Sequence, residues 1–350
     1  MTRRKALQSL GGLFIASFAI ILLLAFLSRR NATKNGFNRH FVSGALKIEA
    51  QITTRFPVFR LLGSINDDLY FQTNSPYEVI KTDSNLTKFE KITLYIQEGL
   101  DSYSGIHMFL RNNTLYITSR NKGIIISYDL QSKIATQHVI KDYFKKLVNI
   151  ADDQFIFRRY DSKIKSIIFL KGDLKNKDQF IQSDYKQSEN DGSTGLKTEG
   201  MLFYDEQTNL ACYTFFYHNG FVCLDTNLNV KLKARTIDTI TKQDVKVSHI
   251  RGSITFDEPP PFVNYIGSVS NGKLFLQSML RADNEYELDF SENTTVDIYN
   301  LVNGWYEGSF YFPTHNGKSP IEFKVIGNHL YAVYENAIAK YSLNPLNPTH

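Results

Sequence analysis

From about residue 46 onward, short apolar runs alternate with clusters of Asn, Asp, Gln, Gly and Lys, and this alternation repeats. A polar cluster precedes each strand-like segment LYFQTN, LYITSR, FIFRRY, LACYTFF, LFLQSM and LYAVYE, so six units begin at Leu69, Leu115, Phe155, Leu210, Leu274 and Leu330. The segments before the clusters (VFRLLGSI, IHMFLR, KKLVNIA, MLFYD, YIGSVS, EFKVIG) are apolar or alternating, so each unit opens with a tight antiparallel hairpin. A third strand ending in a polar step follows, as in IISYDLQS and FVCLDTNL. Units of three or four short strands, about 52 residues apart on average, predict propeller blades. Spacings from 40 to 64 residues place insertions at 175–200, a polar loop rich in Lys, Asp, Ser and Gly, and at 235–262, with a stiff corner at Asp257-Glu258-Pro259-Pro260-Pro261.

The last unit runs out after three strands, while an unassigned strand-like piece, LKIEAQIT at 46–53, precedes the first. Pairing the two closes the ring and removes open sheet edges, which favour aggregation. The predicted fold is all-β, a six-bladed β-propeller preceded by one N-terminal transmembrane helix. The helix is read from LGGLFIASFAIILLLAFLS at 10–28, uncharged for 19 residues and followed by Arg29-Arg30 rather than a cleavage site. The chain then divides into a basic tail (1–9), the transmembrane helix (10–28), a linker (29–45), the propeller (46–343) and a tail (344–350). A lone helix at the N-terminus predicts a single-pass cytoplasmic-membrane protein with its large domain extracytoplasmic. Its expected partners are membrane lipid and a membrane protein. Thr2-Arg3-Arg4-Lys5 also resembles the start of a twin-arginine export signal.

The formal charge of +5 changes little. Seven basic residues and no acid lie within the first 40 residues, which leaves 33 basic against 35 acidic residues elsewhere. The basic balance is therefore local, and nucleic acid is not an expected partner.

At this point the chain resembles bacterial six-bladed propellers of the TolB-like and NHL-like kind joined to an N-terminal anchor. The resemblance covers roughly 46–343 and rests on the repeated turn-LY strand and the YDL-type strand end. It implies the architecture; its bearers include scaffolds, binders, lyases and hydrolases, so it implies no activity.

Catalytic and cofactor signatures are absent: no C-x-x-C-H, H-E-x-x-H, P-loop, calcium loop or nucleophile elbow, and the eight histidines form no metal-binding pair. No cofactor or metal is expected, and the reading leans away from an enzyme. Cys212 and Cys223 are read as a hairpin turning at Asn219-Gly220, which would keep them apart as buried free thiols. The sequons at Asn31, Asn85, Asn112 and Asn293 would matter only in a eukaryotic secretory pathway.

One positional argument remains. In a propeller the loops between second and third strands share one face, and here they carry Arg120, Asn121, Arg158, Arg159, Asp161, His218, Arg281, Asp283 and Glu335. Four arginines on one face could bind a carboxylate or other anion through paired hydrogen bonds. The plain alternative is that short loops need polar residues anyway. The leading expectation is thus a membrane-anchored binding or interaction module with contacts on this face. The alternative is a propeller hydrolase or lyase acting on a carbohydrate or peptide, with Asp161, Asp283, Glu335 and His218 as acid–base candidates. A third possibility, a structural subunit, would show an exposed apolar patch.

Overall fold

The polar clusters of the repeat sit where the backbone must turn left-handed. Positive φ occurs at Asn66 (47°), Asp67 (67°), Asn112 (50°), Asp153 (60°), Asn209 (55°), Asn271 (53°) and Gly327 (57°), one hairpin in each of six sheets. Asn, Asp and Gly tolerate that region best, so the signal and the geometry have one cause. A computed structural model describes residues 3–30, 34–97, 100, 105–120, 122–140, 144–176, 180–188, 194–242, 245–250 and 252–344.

After helix α1 (Arg3–Arg30) and strand β1 (Leu46–Thr53), blade 1 comprises β2 (Val58–Ile65), β3 (Asp68–Thr73), β4 (Glu78–Asp83) and β5 (Phe89–Thr93). Blade 2 is β6 (Ile106–Arg111), β7 (Thr114–Ser119), β8 (Ile124–Asp129) and β9 (Ala135–Val139). Blade 3 is β10 (Lys146–Ala151), β11 (Gln154–Asp161), β12 (Ser166–Asp173) and β13 (Ile181–Ser188). Blade 4 is β14 (Gly200–Asp205), β15 (Leu210–Phe215), β16 (Gly220–Asp225) and β17 (Val230–Arg235). A two-stranded hairpin, β18 (Val247–Ile250) and β19 (Ser253–Phe256), occupies the second insertion. Blade 5 is β20 (Asn264–Ser270), β21 (Lys273–Ser278), β22 (Asn293–Asn300) and β23 (Tyr306–Pro313), with the short helix α2 (Glu287–Glu292) in its middle loop. Blade 6 is β24 (Glu322–Ile326), β25 (His329–Val333) and β26 (Ala337–Leu343), completed by β1 as its outer strand in the register Leu46↔Leu343. The predicted ring closure is what the structure shows.

Burial follows strand position. Second strands are covered on both faces and read as continuous apolar runs: every residue of β15 (LACYTF) is buried. Outer strands show one wet face, as in β17 (VKLKAR), where only alternate residues are partly covered. The core lies between blades, in clusters such as Tyr116, Phe155, Phe157 and Ile168.

Three expectations are corrected. A helix does form at the N-terminus, but among the described residues no helix is long and apolar enough to cross a membrane. The transmembrane helix, the single-pass inner-membrane location, the extracytoplasmic placement and the lipid and membrane-protein partners therefore have no support in the structure. The same finding overturns the membrane-anchored binding or interaction module as the leading function.

Second, part of the first insertion, read as a polar loop, is the outer strand β13. Third, Cys212 and Cys223 are directly paired across β15 and β16 and joined as a disulfide, with a Cα–Cα distance of 4.1 Å. The turn is the four residues 216–219, because Asn219 is drawn elsewhere. Its N–H donates to Ile240 O (2.8 Å), its carbonyl accepts from Thr236 N–H (2.8 Å) and its Nδ2 donates to Asp238 O (2.7 Å). Neither Asn219 nor Gly220 takes the positive φ that a two-residue turn there requires.

Residues 34–45 form a clasp along blade 5. Arg39 is buried, its Nε and Nη2 donating to Asp297 Oδ1 and Oδ2 (2.7 and 3.1 Å) and its Nη1 to Glu285 Oε2 and to Leu280 O (3.0 Å). Val42 N–H donates to Ser309 O (2.9 Å), Ser309 N–H donates to His40 O (2.7 Å), and Phe41 stacks on Tyr311 with ring centroids 4.4 Å apart.

Candidate functional site at the mouth of the central channel

The first strands of the blades, β2, β6, β10, β14, β20 and β24, surround a central cavity of about 1110 Å³. These strands alternate: in β24, Phe323 and Val325 are buried in the core while Glu322 and Lys324 line the channel. The same rule puts His107 and Arg111 of β6 into the lining.

All six strands begin at one mouth, and there the lining is charged. Arg60 Nε donates to Glu322 Oε1 (2.8 Å), Leu61 N–H donates to Glu322 Oε2 (3.0 Å), and Arg60 Nη1 lies 2.8 Å from His107 Nδ1. Because a guanidinium only donates, Nδ1 accepts and the proton of the neutral ring is assigned to Nε2. Burial, then Arg60, Arg120 and Lys146, push the His107 pKa down to about 3. Arg120 donates from Nη1 to Lys145 O (3.1 Å) and lies across Gly105, where an added Cβ would sit 2.8 Å from Arg120 Nε. Gly105 also has φ +70°, so glycine is required there twice over. Lys146 Nζ lies 3.5 Å from Glu199 and 5.4 Å from the Phe216 ring centroid. Burial lowers its pKa, the Glu199 carboxylate opposes this, and Arg120 and Arg158 add to it. Inside the channel, burial raises the pKa of Glu322 and lowers that of Lys324, each opposed by its partner's charge.

The blades differ around this mouth. Arg60, His107, Arg120 and Lys146 come from blades 1 to 3, whereas blades 4 and 5 contribute Phe216 and Tyr265. Phe262, from the insertion, joins these rings edge to face at 5.4 and 5.0 Å. The opposite mouth is tied up internally: Arg111 donates to Asn149 Oδ1 (2.5 Å) and pairs with Glu206 (2.9 Å).

Of the nine residues expected on the loop face, Arg120 lines the channel. Asn121 lies outside the described residues. Arg158 is fully buried, with Nη2 donating to Thr198 O (2.8 Å) and Oγ1 (2.9 Å) and its guanidinium 4.9 Å from the Tyr213 ring centroid. Arg159 pairs with Asp161 (3.7 Å), whose carboxylate also closes its own loop by accepting from Lys163 N–H (2.9 Å). His218 accepts from Gly220 N–H at Nδ1 (3.1 Å) and stacks on Phe215 at 4.1 Å, and burial lowers its pKa to about 4. Arg281 and Asp283 hold the clasp: Asp283 Oδ1 accepts from Asn35 N–H (2.7 Å), and the Arg281 carbonyl accepts from Asn35 Nδ2 (2.8 Å). Glu335 forms an exposed pair with Lys318. The structure does not bring the eight described residues together at one site. Arg60, His107 and Lys146 were missed, although a charged or imidazole side chain at the start of an otherwise apolar first strand is a signal that the channel-facing register would have exposed.

Among the described residues no group of His, Cys, Asp and Glu could hold a metal ion. No family model matches the chain, and no curated protein matches it either. Solved structures do. A member of the DUF4221 family from Bacteroides vulgatus ATCC 8482 aligns with TM-score 0.54 at 13% identity over 85% of this chain and 97% of that one. A protein from Bacteroides fragilis NCTC 9343 aligns with TM-score 0.54 at 9% identity over 88% and 99%. Virginiamycin B lyase from Staphylococcus aureus aligns with TM-score 0.49 at 9% identity over 85% and 99%. At these identities the likeness shows the propeller fold alone.

Proposed function

We propose that the cationic mouth of the central channel is a substrate site, and that the protein is a propeller lyase acting on a carbohydrate or peptide that carries a carboxylate. The observation that supports this reading is the convergence of Arg60, His107, Arg120 and Lys146 on one mouth of a large channel. Elimination begins with loss of a proton next to a carboxylate or carbonyl, and charge develops on that group. Two guanidinium groups, always charged, would hold the carboxylate and neutralise the developing charge. Lys146, whose proton is loosened by its surroundings, would in its neutral form take the proton from carbon; as the carbon–carbon double bond forms, the bond from the neighbouring carbon to the leaving group breaks, the neutral His107 ring donates a hydrogen bond from Nε2 to that group, and the Lys146 ammonium returns the proton to it.

Hydrolysis is less well served. A glycosidase needs two carboxyl groups free to act as acid and base or nucleophile. Here Glu322 accepts from Arg60 and from Leu61 N–H, and Glu199 is paired with Lys146.

The test is a panel of carboxylate-bearing oligosaccharides and peptides, followed by the ultraviolet absorbance of a newly formed carbon–carbon double bond. Turnover of one class, lost in Lys146→Met while substrate still binds, is the expected result. Turnover that persists in Lys146→Met, or no elimination with any substrate, would overturn it.

A further inference from the structure

The two halves of the mouth differ in chemistry in a way that selects among carboxylates. In a six-bladed ring blade 1 faces blade 4 and blade 2 faces blade 5, so Arg60 and Arg120 stand on the opposite side of the mouth from Phe216 and Tyr265. Tyr265 is 47% exposed and Phe59, beside Arg60, is also 47% exposed; both line the cavity. Tyr265 is joined through Phe262 to Phe216, and a contiguous aromatic patch at the rim of a polar cavity marks a ligand-binding groove. Phe262 braces Tyr265 edge to face at 5.0 Å, which fixes the Tyr265 ring in place.

We infer that the occupant is an acidic saccharide, a chain of uronate-type sugars, with sugar-ring faces resting on the Tyr265–Phe216 side and carboxylates directed to the Arg60–Arg120 side. This rests on the substrate-site reading above and names the substrate class. Every uronate unit carries a flat C–H face and a carboxylate on its edge, so one unit satisfies both walls at once. The remaining polar groups, the Lys146 Nζ and the His107 Nε2–H, suit hydroxyl groups. The cavity, about 1110 Å³, exceeds the roughly 300–1000 Å³ of ordinary small-molecule sites and so has room for more than one ring.

The test is calorimetric titration of the full chain with a galacturonate trimer, a neutral galactose trimer and the dipeptide Asp-Phe, together with saturation-transfer NMR from the aromatic protons. The acidic trimer is expected to bind, with transfer to its ring protons, and the neutral trimer at least tenfold more weakly. Tyr265→Ala and Arg120→Met should each weaken the acidic trimer at least tenfold, while Tyr265→Trp restores binding and shows that the loss is not one of folding. Equal binding of the neutral trimer, an unchanged affinity in Tyr265→Ala, or tighter binding of Asp-Phe would overturn the inference. The two proposals fail separately. Binding of the acidic trimer without cleavage supports the saccharide and removes the lyase chemistry, whereas cleavage of acidic peptides with no trimer binding keeps the chemistry and overturns the saccharide.

Discussion

The loops that join second to third strands and the first residues of the inner strands lie at the same mouth, yet they use their polar side chains in opposite ways. Apart from Arg120, which reaches the channel, the loop-face residues are consumed by the fold: Asp161 closes its own turn, His218 caps Gly220, and Asp283 grips the backbone of Asn35 and Gly36. Inner-strand residues have no turn to make, because their backbone runs extended along the sheet edge that faces the channel. Arg60, His107 and Lys146 therefore present their functional ends to the channel. A polar residue in a loop explains itself; one at the start of an apolar strand needs a further reason.

The largest test of that contrast is Arg39→Met, which leaves Glu285 and Asp297 without their buried counter-charge. Urea unfolding should show a loss of about 3–5 kcal/mol, with anion affinity unchanged in the protein that remains folded; weaker binding would tie the clasp to the channel. Next, Cys212→Ala with Cys223→Ala opens a short covalent loop in blade 4, for which a loss of about 2–3 kcal/mol is expected in thermal unfolding. Arg60→Met should then weaken carboxylate binding by roughly tenfold to a hundredfold, about 1.4–2.8 kcal/mol, because it also releases Glu322 into the mouth. Arg159→Met, at the outer end of β11 and paired with Asp161, should leave affinity unchanged, and the contrast fails if the two variants behave alike.

A smaller effect concerns pH. His107 and His218 have folded pKa values near 3 and 4 against an ordinary 6.5, so below 6.5 the unfolded chain binds more protons than the native one. Stability is complete above pH 6.5 and declines as pH falls toward 4 and then 3. His107→Gln should flatten that decline in denaturation curves recorded from pH 7 to 4. Smallest of all, Glu335→Ala breaks an exposed pair with Lys318 and should change stability by less than about 0.5 kcal/mol.

Much of the architecture is legible in the sequence because its cause is local. The left-handed residues of each first hairpin must be Asn, Asp or Gly, and the buried second strands must be continuously apolar, so Asn112 before LYITSR and Asn209 before LACYTFF mark blades wherever they occur. The closing strand is legible because an unpaired edge is costly. What was not legible depends on distant partners. The Asn219-Gly220 pair looks like a tight turn, but residues 236–240 draw Asn219 away, and the cysteines come into register only as a result. The channel site escaped for the same reason: Arg60 meets Glu322 and His107 only once blades 1, 2 and 6 are side by side.

The pairing of β1 with β26 also sets an order of events. Leu46 and Leu343 are neighbours in one sheet although nearly 300 residues separate them, whereas the hairpins within blades close over a handful of residues. Loop-closure entropy makes that contact about 3 kcal/mol harder to initiate than a ten-residue one. Blades therefore have every reason to assemble early and one by one, and the ring shuts last. Until it does, Ala337, Ile338 and Ala339, all fully buried in the finished protein, face water along an open edge. The channel exists only after that final zipper, so ligand competence is a late property of the folding chain and a direct report on whether the ring has closed.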